Sequence, residues 1–399
     1  MRHPKPVVNV ELSEKNKVLR IIAVVILFVI GVTGITMGIK HALNKDTGWQ
    51  TVHVVPQERS CARNFILRYN FSGSGAEATV VNQKLQSVYA DACVHAYRMF
   101  NADESFDNVQ NVHYINHHPN EVISVDPILY AAFEKLEGTP WLYLGPAYAH
   151  YYNLILGADD ALLEQIDPEQ SAEAADYLAR IAKFAADPAS IDLQLLGDNR
   201  VMLSVSEEYR AFALQEDVEH FLDFGYMTNA FIIDFLADTI TQQGLTDGYL
   251  VSTDGYTRNL LSGVPFNFNI FDRVDDLIYP AAVMEYRGPA SIVFLKDYPT
   301  AESDVNYRFV EERFVHLFVD PVDGVSRTSV ENLVCYSYNS GCVDVLLYML
   351  PSFVGSEFSV PEGVYSVWCE DTLICYNDEA ISFNDVLASS QRNYRVIRK

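Results

Sequence analysis

The chain has 399 residues, of which 49% are hydrophobic and 20% are charged, and its formal net charge is -25. This composition excludes a disordered chain, a collagen-like fibre and a coiled coil, and it requires a folded core. With 28 basic against 53 acidic residues, the chain lacks the surplus of Lys and Arg that binding to a phosphate backbone requires. We therefore expect no nucleic-acid partner.

An apolar segment near the N terminus predicts a transmembrane helix. Residues 21–39 contain no charged side chain and lie between Arg20 and Lys40, and their number is close to the length needed to cross a bilayer. The segment is longer than the core of a typical signal peptide, and no small-residue cleavage pattern follows it. The chain is therefore expected to keep this helix as its anchor.

The charges around this helix predict its orientation. Five basic residues precede it: Arg2, Lys5, Lys15, Lys17 and Arg20. They are expected to stay in the cytoplasm, so that the rest of the chain is exported. The expected organisation is a cytoplasmic tail (1–20), a single transmembrane helix (21–39), a linker (40–62) and an extracytoplasmic domain (63–399), which together place the protein in the cell membrane.

The six cysteines are even in number and fall in a compartment predicted to be oxidising, so disulfides are one expectation. Cys369 and Cys375 flank a short polar turn and are candidates to face each other across a hairpin. Buried free thiols are the alternative. No two cysteines have CxxC spacing and the histidines do not cluster with them, which argues against a zinc site.

Apolar spacing predicts the elements of the first half of the exported part. Residues 65–69 alternate like a strand, and apolar residues recur every three or four positions over 76–100, 126–136 and 171–186, which predicts three helices. Ser171 is the expected N-cap of the third helix. Strands are predicted over 199–205 and 211–214, separated by a Glu-Glu-Tyr turn.

The second half begins with a turn over 223–225 that leads into a helix over 227–243, for which Gly244 is the expected stop. Strands are predicted over 249–252, 291–295 and 314–319, and an apolar helix over 343–349 is expected to end at Pro351. More strands are expected at the C terminus. This alternation, without an internal repeat, is typical of a mixed α+β domain.

Four segments combine acids and turn residues at the ends of these elements. They are residues 223–234 (DFGYMTNAFIID), 250–255 (LVSTDG), 316–324 (HLFVDPVDG) and 343–351 (VDVLLYMLP). Each has a structural interpretation of its own. Asp320, for example, begins a tight turn after a strand, and Asp344 in the first turn of a helix complements the helix dipole.

Taken in order, the four segments resemble the motifs of the ApbE family, the FAD:protein FMN transferases. Those motifs resemble D-x-G-G-I-A-K-G-Y-x-x-D, N-x-G-G-D, H-I-I-D-P-x-T-G and A-D-A-L-S-T-A-L-F-x-M. The resemblance extends over roughly residues 65–385. It implies an ApbE-like, T-fold-related α+β domain that transfers FMN from FAD to a Thr or Ser of a target protein with the help of Mg²⁺. The expected partner is a flavoprotein acceptor or a membrane redox complex.

The resemblance also implies roles for individual residues. It implies a magnesium site at Thr228, Asp344 and Tyr348, and the spacing of four puts positions 344 and 348 on one helix face. It implies contacts with FAD for Asp223, Gly225, Asn229 and Gly255. It implies catalytic roles for His316, as general base for the acceptor hydroxyl, and for Asp320.

Several positions depart from the family pattern. Asn229 replaces the lysine, Tyr348 replaces the threonine, and Leu317 stands where the histidine is expected. Because neighbouring strand residues point to opposite faces, Leu317 takes the family direction, and a surface role is the alternative for His316. Arg258 and Arg273 are candidates to supply the missing positive charge.

These departures leave two main functions open, besides a purely structural exported domain whose cleft is closed by Tyr226 and Tyr348. One is the transferase, and the alternative is an inactive ApbE-like module that binds FAD, another nucleotide or a partner protein. Open oxygens near Asp344, with a cleft between it and Gly225, favour the enzyme. A cleft filled by tyrosine rings favours the module or the structural domain.

Overall fold

A computed structural model describes residues 47–55, 57–274, 277–300, 304, 306–310, 313–360, 363–384 and 393–399. The predicted transmembrane segment 21–39 lies outside these residues. Within them, no helix has the length and the apolar character needed to cross a membrane. Contacts divide the described residues into a smaller unit, which contains residues 47–50 and 70–83, and a larger unit, which contains the described residues from 51–69 and from 84 onward.

Nine α-helices occur in the described residues. They are α1 (Gly75–Phe100), α2 (Val112–His117), α3 (Pro127–Leu136), α4 (Gly145–Ala149), α5 (Asp160–Ile166), α6 (Ala172–Ala186), α7 (Glu207–Gln215), α8 (Thr228–Gln242) and α9 (Cys342–Phe353). A π-helix over His150–Ile155 follows α4, and short 3-10 turns cover Cys61–Asn64, Trp141–Tyr143 and Gly225–Met227.

Seventeen strands are found in the same part of the chain. They are β1 (Gly48–Thr51), β2 (Phe65–Phe71), β3 (Val122–Ser124), β4 (Ile191–Leu195), β5 (Arg200–Val205), β6 (Gly248–Ser252), β7 (Tyr256–Asn259), β8 (Pro265–Val274), β9 (Leu277–Arg287), β10 (Ala290–Lys296), β11 (Tyr307–Val310), β12 (Arg313–His316), β13 (Asn332–Ser337), β14 (Tyr365–Glu370), β15 (Leu373–Tyr376), β16 (Ser382–Asn384) and β17 (Arg395–Arg398). β1 falls within the predicted linker.

A central sheet organises the larger unit. Its strands pair in the order β2-β6-β7-β10-β13-β14-β15-β17, all antiparallel except the last pair. α8 and α9 pack on the sheet, and β8, β9 and β16 form a second sheet whose Met284 and Tyr286 share a core with Ile292 and Phe294 of β10. Every residue of β10 is buried, as expected for a strand covered on both faces.

The predicted helices over 76–100, 126–136, 171–186 and 227–243 are confirmed, as are the strands over 65–69, 249–252 and 291–295. The Ser171 cap is also confirmed, since its hydroxyl accepts a hydrogen bond from the Ala174 N–H at 3.3 Å. These elements share a local signal, either an amphipathic period or a capping residue. The mixed α+β class is therefore correct for the described residues.

The strand predicted over 211–214 is wrong, because this segment belongs to α7. Ser206 caps that helix by accepting a hydrogen bond from the Tyr209 N–H at 3.2 Å. Two glutamates fill the first turn, where negative charge complements the helix dipole. Tyr209, Phe212 and Ala213 form its buried face, and their spacing is helical.

The end predicted for the last helix is also wrong, since α9 continues past Pro351 to Phe353. Pro351 itself lies in the final turn. The carbonyls of Ser352 and Phe353 accept hydrogen bonds from the Ser329 hydroxyl at 2.5 and 3.1 Å. These bonds hold the helix end that a proline by itself would weaken.

All six cysteines are buried and free. Cys369 lies opposite Ile374, and Cys375 lies opposite Trp368. Residues paired across an antiparallel ladder share a face, so Cys369 and Cys375 point to opposite faces of the sheet. The expectation that these two thiols face each other is therefore wrong, and the free-thiol alternative describes the structure.

Candidate functional site

A cavity of about 410 Å³ opens beside the turn that precedes α8, and we call it the site pocket. Its size falls within the range of small-molecule sites. Its walls come from the turns before α8 and after β6, from α4 and the π-helix, and from single residues elsewhere. The lining residues are Asn64, Asp103, Tyr148, Ala149, Tyr152, Asn153, His220, Asp223, Gly225, Tyr226, Asn229, Thr253, Asp254, Asn306 and Leu317.

The turn before α8 is held by its own backbone and by Asp223. The Asp223 carboxylate accepts a hydrogen bond from the Gly225 N–H at 2.8 Å, and the Asp223 N–H donates to the Leu142 carbonyl at 3.0 Å. Gly225 has φ +53, and a Cβ there would lie 2.6 Å from the Tyr148 ring. Only glycine satisfies both the backbone and the ring, so this position shapes the pocket.

The turn after β6 is tied to the first turn by two hydrogen bonds. The Asn229 amide donates to Asp254 Oδ2 at 2.9 Å, and the Tyr256 hydroxyl donates to the Tyr226 carbonyl at 3.1 Å. The other oxygen of Asp254, Oδ1, is buried and has no hydrogen-bond partner in the described structure. Burial raises the pKa of the Asp254 carboxyl, and it also raises the pKa of Asp223.

The third segment places Leu317, and not His316, at the site pocket, as strand alternation predicts. His316 is buried, so a surface role for it is wrong. Its Nδ1 accepts a hydrogen bond from the Phe318 N–H at 3.3 Å and lies 3.0 Å from Ser326 Oγ. Burial lowers the pKa of His316 to about 3, so that the ring is neutral at physiological pH.

Asp320 is part of the turn that follows, and it is not a pocket residue. It is 6% exposed, and its carboxylate accepts a hydrogen bond from the Val322 N–H at 2.9 Å. Its other oxygen lies 3.5 Å from Arg327. These contacts fix the turn.

The fourth segment begins α9, whose N terminus is held by Asp234 of α8. The Asp234 carboxylate accepts hydrogen bonds from the Cys342 and Val343 N–H groups, each at 2.9 Å, and from Arg258 at 2.5 Å. This close approach requires glycine at 341, where a Cβ would lie 2.3 Å from Asp234 Oδ2. A carboxylate at this end is also favoured by the helix dipole.

Asp344 lies in the first turn of α9, and its side chain is 47% exposed. One oxygen forms an ion pair with Lys135 of α3, and the other accepts a hydrogen bond from the Gly341 N–H at 3.4 Å. Tyr348, one turn further on, is 50% exposed. Neither residue lines the site pocket.

No family model and no curated protein sequence matches this chain. Among solved structures, the ApbE protein from Thermotoga maritima matches 84% of this chain and 96% of its own, with a TM-score of 0.53 and 13% sequence identity. The chain has an ApbE-like fold. The flavin transferase ApbE from Vibrio cholerae is also similar over 84% of this chain and 97% of its own, with a TM-score of 0.49 and 13% identity.

In this ApbE-like fold, three of the four sequence segments meet at the site pocket. Asp223, Gly225 and Asn229 line it, as does Leu317, whereas Gly255 lies in the adjoining turn and its carbonyl accepts a hydrogen bond from the Phe294 N–H at 2.9 Å. The fourth segment is not part of the lining. The resemblance thus locates the pocket but not all the residues assigned to it.

The positions expected to hold magnesium do not fit that ion. The Thr228 hydroxyl donates a hydrogen bond to the Gly225 carbonyl at 2.8 Å, and Asp344 is paired with Lys135. A protonated phenol such as Tyr348 is a poor ligand for a hard cation, which prefers carboxylate, carbonyl and water oxygens. In the part of the chain that the structure describes, no three His, Cys, Asp or Glu side chains are placed to share a metal ion.

The lining does not fit the pyrophosphate of FAD either. None of the described lining residues is a Lys or an Arg, and three of them are aspartates. The two candidate cations have other partners: Arg258 donates to Asp234, and Arg273 donates to Glu331 at 2.9 Å. A phosphate in this pocket would meet carboxylates without a compensating cation.

Sequence reasoning missed about half of the pocket walls. Residues with no motif around them supply these walls: Asn64, Asp103, Tyr148, Tyr152, Asn153, His220 and Asn306. They come from separate elements, and only the tertiary fold assembles them. One of these elements, the π-helix over His150–Ile155, has a geometry that is often found at functional sites. The sequence pattern does not predict this π-helix.

Proposed function

We propose that this chain is a membrane-anchored, extracytoplasmic module with an ApbE-like fold that binds a ligand in the site pocket and does not transfer FMN. The observation that carries the proposal is the ion pair between Lys135 and Asp344. It gives a lysine partner to the acid that the resemblance assigns to the metal site, and that acid does not line the site pocket. The anchor and the location are supported by the uncharged segment 21–39 and the basic residues before it.

The aromatic walls of the pocket support a role in ligand binding and not in FMN transfer. The Tyr148 and Tyr226 rings meet edge to face, 5.6 Å apart, in a position next to Gly225. Tyr226 replaces a glycine of the family motif, so an aromatic ring lies at a position where the family motif has no side chain. Such rings suit the recognition of a ligand and supply no group for phosphoryl transfer.

The second candidate function is FMN transfer from FAD to a flavoprotein acceptor or a membrane redox complex. The meeting of the first three segments at one pocket favours it, because the same segments define the resemblance. The substitutions at 229 and 348 and the pairing of Asp344 weigh against it.

Incubation of the full-length chain with FAD, Mg²⁺ and a peptide that carries the acceptor threonine separates the two functions. We expect no covalent flavin on the peptide, while the Vibrio cholerae flavin transferase labels it under the same conditions. Lys135→Ala, which frees Asp344, is expected to remain inactive because the other ligand positions are still missing. Flavin fluorescence on the peptide that disappears in Asp344→Asn would overturn the proposal.

A further inference from the structure

We propose that Cys61 and Cys93 form a disulfide bond when the chain folds in the presence of a disulfide oxidant. The pair is a covalent modification site in the larger unit, outside the site pocket and independent of the ligand of that pocket. Its basis is the contact between two buried thiols that lie 32 positions apart in the chain.

The two cysteines lie on elements that contact each other. Cys61 begins the 3-10 turn before β2, and Cys93 lies in the second half of α1. The Cys61 thiol donates a hydrogen bond to the Cys93 carbonyl at 3.2 Å. One helical turn before Cys93, the Tyr89 hydroxyl donates to the Phe65 carbonyl at 3.3 Å. Positions 89 and 93 share one face of α1, so these two bonds hold that face against the turn and the start of β2.

The two sulfur atoms of the pair are also in contact. A hydrogen bond between the Cys93 and Cys61 thiols is the largest cause of the raised pKa of the Cys93 thiol, and burial is the second. A disulfide bond joins sulfur atoms about 2.0 Å apart. Thiols that are already in contact reach this distance by changes of their side-chain torsions, which leave the turn and α1 in place.

Burial decides when the bond forms. Cys61 is 4% exposed and Cys93 is 0% exposed, so an oxidant does not reach either sulfur in the closed fold. The raised pKa also keeps Cys93 protonated, whereas the thiolate is the form that attacks a disulfide. We therefore expect the bond to form while the chain folds or opens transiently, and to be protected from reductants afterwards.

Two exchange steps form the bond, and a small disulfide such as oxidised glutathione is the oxidant. The Cys61 thiolate attacks one sulfur of the oxidant, so that a mixed disulfide forms and the first small thiol leaves. The Cys93 thiolate then attacks the Cys61 sulfur, which forms the protein disulfide and releases the second small thiol. The two electrons and two protons lost by the protein are taken up by the oxidant. Such oxidants are found in the oxidising compartment to which export is predicted.

The bond would fasten the turn at the end of the predicted linker (40–62) to α1. It would close a loop between Cys61 and Cys93, and this closure restricts the unfolded chain more than the folded one. The oxidised chain is therefore expected to be more stable than the reduced chain.

Peptide mapping of the full-length chain tests the proposal directly. The reduced chain is equilibrated with glutathione in urea just below its unfolding midpoint, so that transient opening exposes the thiols. Free thiols are then blocked with N-ethylmaleimide, and the chain is digested with trypsin without reduction. Trypsin cuts between the two cysteines, at sites that include Arg68 and Lys84, so only a disulfide keeps their peptides together.

We expect a linked pair of peptides that contains Cys61 and Cys93, even when reduced glutathione is in about tenfold excess over the oxidised form. Recovery of the two cysteines on separate peptides, blocked or bound to glutathione, when oxidised glutathione is in excess would overturn the proposal. This measurement needs no variant and does not depend on the compartment in which the chain resides.

Alanine variants connect the bond with stability. Reduction with dithiothreitol should lower the thermal midpoint of the oxidised wild type by about 5 °C, and it should not change that of Cys93→Ala. Cys335 is a matched control, since it is also 0% exposed and its sulfur accepts a hydrogen bond from the Ser366 hydroxyl at 3.8 Å. Cys335→Ala should respond to reduction like the wild type. An equal response of Cys93→Ala and wild type would overturn the assignment of the bond to this pair.

The failure of this proposal differs from the failure of the proposed function. Covalent flavin on the acceptor peptide would overturn the binding module and leave the disulfide unaffected. Unlinked cysteines would overturn the disulfide and leave the binding module standing.

Discussion

The turn before α8 and the first turn of α9 match the same family pattern, but their surroundings differ. At the first, Asp223, Gly225 and Asn229 line a cavity. At the second, Asp234 caps the helix and Lys135 pairs with Asp344. A motif thus predicts where an acid lies along the chain, whereas its neighbours decide whether it is available to a ligand.

The contacts of Asp234 at the start of α9 predict that this residue stabilises the fold. Asp234→Ala should lower the free energy of unfolding by about 3–5 kcal/mol, since it removes two caps of α9 and leaves Arg258 without its closest partner. Urea unfolding of the full chain measures this loss. Asp238 also approaches Arg258, at 3.5 Å, but it is 64% exposed. Asp238→Ala should therefore cost less than about 1 kcal/mol, and equal losses would contradict the assignment.

The shape of the turn before α8 depends on Gly225. Gly225→Ala should destabilise the fold by about 2–3 kcal/mol, because the new Cβ combines a strained backbone with a clash against Tyr148. Gly263 is a matched control: its φ is +74 and a Cβ there meets no atom within 4 Å. Gly263→Ala should cost only about 1 kcal/mol. A Gly225→Ala variant no less stable than this control would show that the Tyr148 contact is unimportant.

The lowered pKa of His316 predicts that the free energy of unfolding depends on pH. Its folded pKa of about 3 lies below the ordinary value of 6.5. The unfolded chain therefore binds the proton first, and stability is lost as the pH falls below 6.5. Between pH 7 and pH 5 the loss should be about 2 kcal/mol. His316→Asn keeps an acceptor for the Phe318 N–H and does not titrate.

Urea unfolding at pH 7 and pH 5 checks this difference in slope. The wild type should lose about 2 kcal/mol more than His316→Asn over that interval. Other groups, such as Asp297, whose pKa burial raises to about 7, act equally in both proteins and cancel in the comparison. Equal losses of unfolding free energy in the two proteins would mean that folding does not lower the pKa of His316.

The smallest effect is expected at the Lys135–Asp344 pair. Both side chains are more than 40% exposed, so Lys135→Ala and Asp344→Asn should each change the free energy of unfolding by less than about 1 kcal/mol. Thermal unfolding with and without millimolar Mg²⁺ checks the metal question at the same time. Stabilisation by Mg²⁺ of the Lys135→Ala variant, but not of the double variant Lys135→Ala/Asp344→Asn, would show that Asp344 binds the metal ion.

The sequence predicted the elements with a local signal. The amphipathic periods over 76–100 and 171–186, the Ser171 cap and the stop at Gly244 depend on residues a few positions apart, and these predictions agree with the structure. The order of the four motifs predicted the ApbE-like fold. The strand prediction over 211–214 is wrong because four residues are too few to separate a strand from the buried face of a helix.

By itself, then, the sequence determined the α+β class, the ApbE-like architecture and the turns that border the pocket. Only the tertiary structure decided that Lys135 neutralises Asp344, from which it is 209 positions away, and that Tyr148 and Tyr152 complete the walls of the pocket. The physical reason is that helices, caps and turns are set by interactions between near neighbours in the chain. Pairing and exposure depend on contacts between distant segments, which leave no period in the sequence.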